Sequence, residues 1–316
     1  MVVDNMKSKL QGKDFLRVGD FTKEDLMELI YLAIKLKNKQ KMGEPHRYLE
    51  GKTLAMIFEK SSTRTRVSFE TGMYQLGGMA QFLSSSDMQL GNGETVADTA
   101  QVLSRYVDVI MIRTFGHEIV EEVAENASVP VINGLTDYAH PCQVLADLMT
   151  IYEEKGKFEG LKLAYVGDGN NMSQSLIVGC ALMGIDCYVS TPEGYEVEQS
   201  IMDIATDAAK TSGAKIIQTT DPKEAVKNAD VIYTDVWTSM GFEDEQEARV
   251  KAFADYQVNT DLVQGAKDDY LFMHCLPAKR DLEVTSEVID GNNSVVFDQA
   301  ENRLHAQKAV LVSIVE

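Results

Sequence analysis

Short apolar runs and longer amphipathic stretches alternate along the chain. Strand-like runs fall at 53–58, 79–83, 109–113 and 129–133, and a second series falls at 161–166, 186–190, 215–218, 231–234, 270–274 and 294–297. Helical spacing of apolar positions marks 63–76, 96–106, 144–154, 172–183 and 196–209. The first helix is written in detail. Thr22 stands as its cap, Phe21 and Leu26 flank it as a hydrophobic staple, and Leu26, Leu29, Ile30, Ala33 and Ile34 share one face. Strands alternating with helices in this order predict parallel sheets covered on both faces.

The predicted fold is therefore α/β, with two doubly wound parallel-sheet domains. Residues 1–148 form the first and 149–298 the second, and the last helical run, 299–316, packs back on the first. A chain of 316 residues has the length for two such cores. No repeat period or low-complexity segment interrupts the pattern.

Charge changes the picture. With 30 basic and 49 acidic residues the formal charge is −19, which argues against general attraction to nucleic acid or to an anionic membrane. Any anion must be captured by a local device. No apolar run is long enough to span a bilayer, and the opening M-V-V-D-N-M-K is too short and polar for a signal peptide. Cys142, Cys180, Cys187 and Cys275 show neither metal-type spacing nor a dense disulfide pattern. A reducing cytoplasm is the expected home.

Such a device stands at Ser61–Arg66, S-S-T-R-T-R, directly behind the first strand-like run. Helix starts offer unpaired backbone N–H groups and partial positive charge. Ser62, Thr63 and Thr65 add hydroxyls, and Arg64 adds a planar fork that matches phosphate. A cap with surface arginines explains one hydroxyl but neither the second arginine nor the other hydroxyls. The turn reads as an oxyanion site, though not a Walker loop.

V-G-D-G-N-N-M-S, from Val166, invites a dinucleotide reading, since it too follows a strand and opens a helix. Met172 occupies the third glycine position, and no acid ends the next strand, which rules against it. The glycines instead make a tight turn that presents Asn170 and Asn171 to a ligand. H-P-C-Q from His140, T-D-V-W-T-S-M-G from Thr234 and H-C-L-P from His274 also stand at strand ends. Singly, His140 could be a core histidine, Asp235 a helix cap and Cys275 a small buried hydrophobe. Together, four polar clusters at four carboxyl edges mark a ligand site.

These motifs, with Q-L-G-N-G-E-T and A-E-N-R, run in the order found in the aspartate/ornithine carbamoyltransferase family, and the chain resembles its ornithine-using branch over essentially the whole length. The resemblance implies an active site in the cleft between the two domains, no metal or organic cofactor, and a homotrimer. It also implies the reaction of carbamoyl phosphate with L-ornithine to give L-citrulline and phosphate. Ser62, Thr63, Arg64 and Thr65 match the loop that holds the phosphate of carbamoyl phosphate. Gln89 matches a residue lent to a neighbouring subunit's site. Arg113, His140 and Gln143 match the groups around the carbamoyl moiety. Asn171, Asp235, Ser239 and Met240 match the ornithine site. Cys275, Leu276 and Arg303 complete the site near the reacting amine and carbonyl. Among these, Arg64, Arg113, His140, Asp235 and Cys275 are the expected catalytic groups.

Elementary chemistry agrees. The attacking δ-amine must be neutral, whereas a free alkylamine is almost wholly protonated at pH 7; Cys275 and Asp235 are placed to influence that proton. Arg64, Arg113 and His140 suit developing charge on the carbonyl and phosphate oxygens. Putrescine has no α-amino-acid head for an S-M-G loop to grip, and aspartate carbamoylation in the family uses a basic proline loop where this chain has H-C-L-P. A non-catalytic subunit would be expected to have lost Arg64, His140 or Cys275.

Overall fold

The computed structural model describes residues 8–88, 93–238 and 243–315. The chain divides into two compact units, Met1–Ala146 with Asn302–Glu316, and Asp147–Glu301. Gln89, Ser239 and Met240 lie outside the described residues.

The first unit opens with α1 (Lys23–Lys41), where the Thr22 hydroxyl accepts from the Asp25 N–H at 3.2 Å and the Asp25 carboxylate accepts from the Thr22 N–H at 3.1 Å. This reciprocal box satisfies two orphan donors of the helix start. There follow β1 (Thr53–Phe58), α2 (Thr63–Gln75), β2 (Met79–Ser84), α3 (Val96–Leu103), β3 (Val109–Arg113), α4 (His117–Asn126) and β4 (Val131–Leu135), and α5 (Pro141–Lys155) begins in this unit and runs on into the second. The sheet order is β2-β1-β3-β4, all parallel. Alternate residues Ala55, Ile57, Ile110 and Ile112 pack with Ala100 of α3 and with Val120 and Val123 of α4. Leu54, Met56 and Met111 between them are also fully buried, so both faces of the central strands are covered.

The second unit holds β5 (Lys162–Val166), α6 (Asn171–Met183), β6 (Asp186–Ser190), α7 (Gln199–Ser212), β7 (Ile216–Thr219), α8 (Pro222–Val226), β8 (Val231–Thr234), α9 (Gln246–Ala252), α10 (Thr260–Val263), β9 (Leu271–His274) and α11 (Ser286–Ile289). Its parallel order is β7-β6-β5-β8-β9. Ala164, Val166, Ile232 and Phe272 pack with residues of α8, α10 and α11. The closing helix α12 (Val296–Ile314) begins in the second unit and runs on into the first, where Lys37 donates to Asn302 at 2.8 Å.

Both sheets reverse strand order once, between β1 and β3 in the first unit and between β5 and β8 in the second. Such switch points open a crevice at the carboxyl ends of the strands. The loops that carry the candidate chemistry leave from those ends.

Two expectations need correction. The run at 294–297 is not a strand: Ser294 makes a single bridge to Phe272, and helix α12 starts at Val296. Its β-branched valines serve the core instead, with Val296 2% exposed. The fourth strand starts at Val131 rather than 129, after Pro130, which has no N–H to donate to a ladder. Among the described residues no helix is long and apolar enough to cross a membrane.

Candidate active site

In the first unit, Ser62 caps α2, its hydroxyl oxygen accepting from the Thr65 N–H at 3.2 Å and its proton reaching the Thr65 hydroxyl at 3.1 Å. Thr63 is exposed and Arg64 half-buried at the first turn of the helix, while Thr65 is buried. The Thr65 hydroxyl also accepts from Arg303 Nη2 at 3.3 Å, and Arg303 Nη1 donates to Gln143 Oε1 at 2.7 Å. One buried arginine of α12 thus joins the turn after β1 to the start of α5.

Arg113 ends β3 and is buried, and His140, also buried, immediately precedes α5. Burial drives the His140 imidazole well below its ordinary range, and the charges of Arg303, Arg113 and Arg64 push the same way. The ring is therefore neutral near pH 7, a donor through one nitrogen and not a cation. Burial pushes the Cys142 thiol up to about 12, which leaves it inert as a nucleophile.

The second arginine of the turn has another use. Arg66 Nε pairs with Glu70 at 3.1 Å, one helical turn on, and its guanidinium lies 3.8 Å from the Phe82 ring centre. It is a surface group, as a plain cap reading would have it. Lys60, by contrast, was missed. It is buried, paired with Asp137 and 4.1 Å from the Phe115 ring centre, and so ties together the loops after β1, β3 and β4. A lysine between a strand end and a cap was the available signal.

In the second unit the turn after β5 is shaped by backbone crowding. A Cβ at Gly169 would stand 2.3 Å from the backbone carbonyl of Glu196, so only glycine fits. Asn170 is a correction in part. Its Oδ1 caps α6 by accepting from the N–H groups of Met172 and Ser173 at 2.9 and 3.3 Å, and its Nδ2 donates to Asp235 Oδ2 at 3.2 Å. Asn171, half-buried, is the first residue of α6.

Asp235 follows β8 and is buried. Its Oδ1 accepts from the Val236 N–H at 2.8 Å and from the Cys275 thiol at 3.0 Å. Cys275 and Leu276 follow β9. Leu276 holds a left-handed backbone, φ +56°, costly for a leucine and kept by its surroundings. Its N–H donates to His274 Nδ1 at 2.9 Å, leaving His274 Nε2–H to donate to Glu283 Oε1 at 3.2 Å. Asp235, His274 and Cys275 bring an oxygen, a nitrogen and a sulfur within 4.8 Å of one another. Both imidazole nitrogens are already engaged, so the histidine serves the loop, not a cation. Arg249 of α9 is the other group that sequence reasoning passed over: Nη1 reaches Asp168 at 2.7 Å and the Trp237 carbonyl at 3.1 Å, and Nε reaches Glu245 at 2.9 Å.

One unit gathers guanidinium groups, hydroxyls and a neutral imidazole at a helix start, fit for a phosphorylated carbonyl compound. The other gathers a carboxylate, a thiol and amides, fit for an amino acid. The model for the carbamoyl-phosphate-binding domain of aspartate/ornithine carbamoyltransferases matches residues 13–153, and that for their aspartate/ornithine-binding domain matches 159–314. The chain belongs to the aspartate/ornithine carbamoyltransferase family. Within it, the ornithine carbamoyltransferase of Anoxybacillus flavithermus is 61% identical over 97% of this chain and 98% of its own. That of Bacillus subtilis is also 61% identical, over 98% and 95%. The solved ornithine carbamoyltransferase of Pyrococcus furiosus superposes with a TM-score of 0.95 at 57% identity, covering 97% of this chain and 98% of that one.

Proposed function

We propose that the protein transfers the carbamoyl group of carbamoyl phosphate to the δ-amine of L-ornithine, giving L-citrulline and phosphate, in arginine metabolism. The observation that carries this is the Asp235–Cys275 pair at the carboxyl edge of the second sheet, 3.0 Å between Sγ and Oδ1. It suits an amino-acid ammonium and a reacting amine, beside a family membership that supplies carbamoyl phosphate.

Carbamoyl phosphate is the ligand of the first unit. Its phosphate takes the helix-start N–H groups with Ser62, Thr63, Arg64 and Thr65, while Gln143 stands by the carbamoyl moiety and Arg303 near the reacting carbonyl. The carbonyl oxygen takes an N–H of neutral His140 together with Arg113. A neutral imidazole polarises the carbonyl through its N–H without protonating it, and the guanidinium groups meet charge as it develops. Ornithine is the ligand of the second unit. Asp235 and Ser239 take its α-ammonium, and Asn171 and the Met240 N–H take its α-carboxylate. Cys275 and Leu276 stand by the reacting amine and carbonyl.

The amine lone pair forms a C–N bond to the carbonyl carbon, the C–O bond to phosphate breaks, and phosphate leaves with the electron pair. The nitrogen sheds one proton, and Asp235 with Cys275 offers it a route. No covalent intermediate with the enzyme is required, so Cys275 need not attack.

The working assembly in this reading is a cytoplasmic homotrimer in which Gln89 completes a neighbour's site. Edge strand β2 supports an oligomer: Met79 and Phe82 on it, and Val67 and Tyr74 on α2, are exposed apolar groups of the first unit. Citrulline formation from ornithine, measured against ureido products from putrescine and aspartate, tests the substrate. A preference for either rival amine would overturn the assignment.

A further inference from the structure

Asn170 makes two kinds of hydrogen bond with one amide. Its Oδ1 faces two backbone N–H donors at the start of α6, those of Met172 and Ser173, and this settles which end of the amide is oxygen. Nδ2 must then face Asp235, to whose Oδ2 it donates at 3.2 Å. The other Asp235 oxygen is held from the opposite side by the Val236 N–H and the Cys275 thiol. The carboxylate is therefore gripped at both oxygens, and one grip is anchored to a helix end.

We propose that Asn170 is a positioning residue for amino-acid recognition: the cap it makes on α6 locks its amide so that Nδ2 aims the Asp235 carboxylate. The inference rests on the reading of Asp235 as the partner of the ornithine ammonium. It goes beyond that reading, because capping alone would accept other residues equally. Asp, Ser and Asn cap helices about equally well. Only Asn offers a cap acceptor and an N–H donor from one planar group, with the acceptor one atom away from the donor. Asn171 cannot substitute, since it is already inside the helix.

The two roles separate by substitution. Asn170→Asp keeps a capping oxygen and sets a second carboxyl group against Asp235. Asp168, Cys275, Tyr165 and Tyr233 also face this group, so added negative charge enters a pocket with two acids already in it. Asn170→Ser keeps a capping oxygen and withdraws the Nδ2–H donor, leaving only a hydroxyl on a shorter side chain. Asn170→Ala removes both.

Thermal unfolding and steady-state kinetics are measured on all three variants and on Asp235→Asn. Asn170→Asp and Asn170→Ser should hold Tm within about 2 °C of the parent, and Asn170→Ala should lower it by roughly 2–4 °C. For Asn170→Asp, kcat/KM for ornithine should fall about a hundredfold at pH 8 and recover in part toward pH 6, as the paired acids share a proton. Asn170→Ser should fall about tenfold at every pH. KM for carbamoyl phosphate should stay within about twofold in both.

Ornithine kcat/KM within threefold of the parent in Asn170→Ser, or an unshifted pH profile in a folded Asn170→Asp, overturns the proposal and leaves Asn170 a cap. If Asn170→Asp fails to fold, Asn170→Ser alone decides. Asp235→Asn keeps the two failures apart: an unchanged ornithine KM there sinks the reading of Asp235 itself, whereas a severe loss there with normal Asn170 variants sinks only this inference.

Discussion

Replacing Arg249 by methionine tests how the second unit's site is held together. The guanidinium is buried and stands 5.1 Å from the Tyr195 ring centre, with Asp168, Glu245 and the Trp237 carbonyl as its partners. Burial pushes the Asp168 carboxyl up, while Arg249 pulls it back down. Methionine fills most of the stem's volume but leaves Asp168 and the Trp237 carbonyl without their donor. Breaking a buried ion pair by removing one partner costs about 3–5 kcal/mol. Asp168 can escape part of that by taking up a proton, and Glu245 is exposed, so about 2–4 kcal/mol is expected. Adding Asp168→Asn removes the stranded charge and should restore about 1–2 kcal/mol. Urea unfolding of the two single variants, the double variant and the parent closes the cycle. A coupling energy below about 0.5 kcal/mol would refute the claim that this pair is a unit. Trp237 and Glu245 flank residues 239–242 in the chain, so the single variant should also raise KM for ornithine and leave that for carbamoyl phosphate unchanged.

Arg64→Ala should slow turnover a hundredfold or more, a loss of about 2–4 kcal/mol of transition-state stabilisation. Mixed with an inactive Gln89→Ala protein it should regain activity if sites are shared, and no recovery in verified hybrids would mean each chain builds its own. Gly169→Ala should destabilise by at least about 1–3 kcal/mol in thermal or urea unfolding, because the new methyl meets fixed backbone at Glu196; an unchanged Tm would count against that contact. Burial, together with the charges of Lys308, Lys37 and Lys41, lowers His305 to about 3. A depressed pKa makes its stability contribution complete above pH 6.5 and lost as pH falls, by at most about 1.4 kcal/mol per unit. His305→Gln should flatten urea-midpoint curves between pH 6.5 and 5, and an equal slope in both proteins would refute it.

Parallel strands were legible because they are buried on both faces and read as unbroken apolar runs. T-L-A-M-I-F and V-I-M-I-R occupy β1 and β3 to the residue. The same signal misled at 294–297. Ser294 and Val295 touch β9 for a single bridge before the helix begins, and a valine pair packs as well on a helix as on a pleat. Helix starts were legible too, since Thr22 and Ser62 cap where a hydroxyl precedes the periodic residues. What a side chain does after capping was not. Arg64 and Arg66 look alike in the sequence, and only the neighbours Glu70 and Phe82 assign the second to the surface. Arg249 stood outside every motif and Lys60 was given no role beside its motif, yet each is a buried cation that links separate loops. Partners 77 or 81 residues away leave no local pattern.

The net charge of −19 and the cationic corner are two sides of one design. A protein surface that repels anions at long range can still take a phosphate, because a Debye length of about 8–10 Å in physiological salt screens distant charge. The near field is set by Arg64, Arg113 and Arg303, and His140 reports it: all three charges push that ring the same way, toward its neutral form. Guanidinium groups stay charged when buried, so the field is kept where a lysine would lose its proton. His140 does the opposite and stays neutral. In the function proposed above, permanent charge meets the phosphate, and the uncharged donor is left for the carbonyl, which must be polarised without being protonated. Both requirements are met within one sheet edge because β1, β3 and β4 end side by side there.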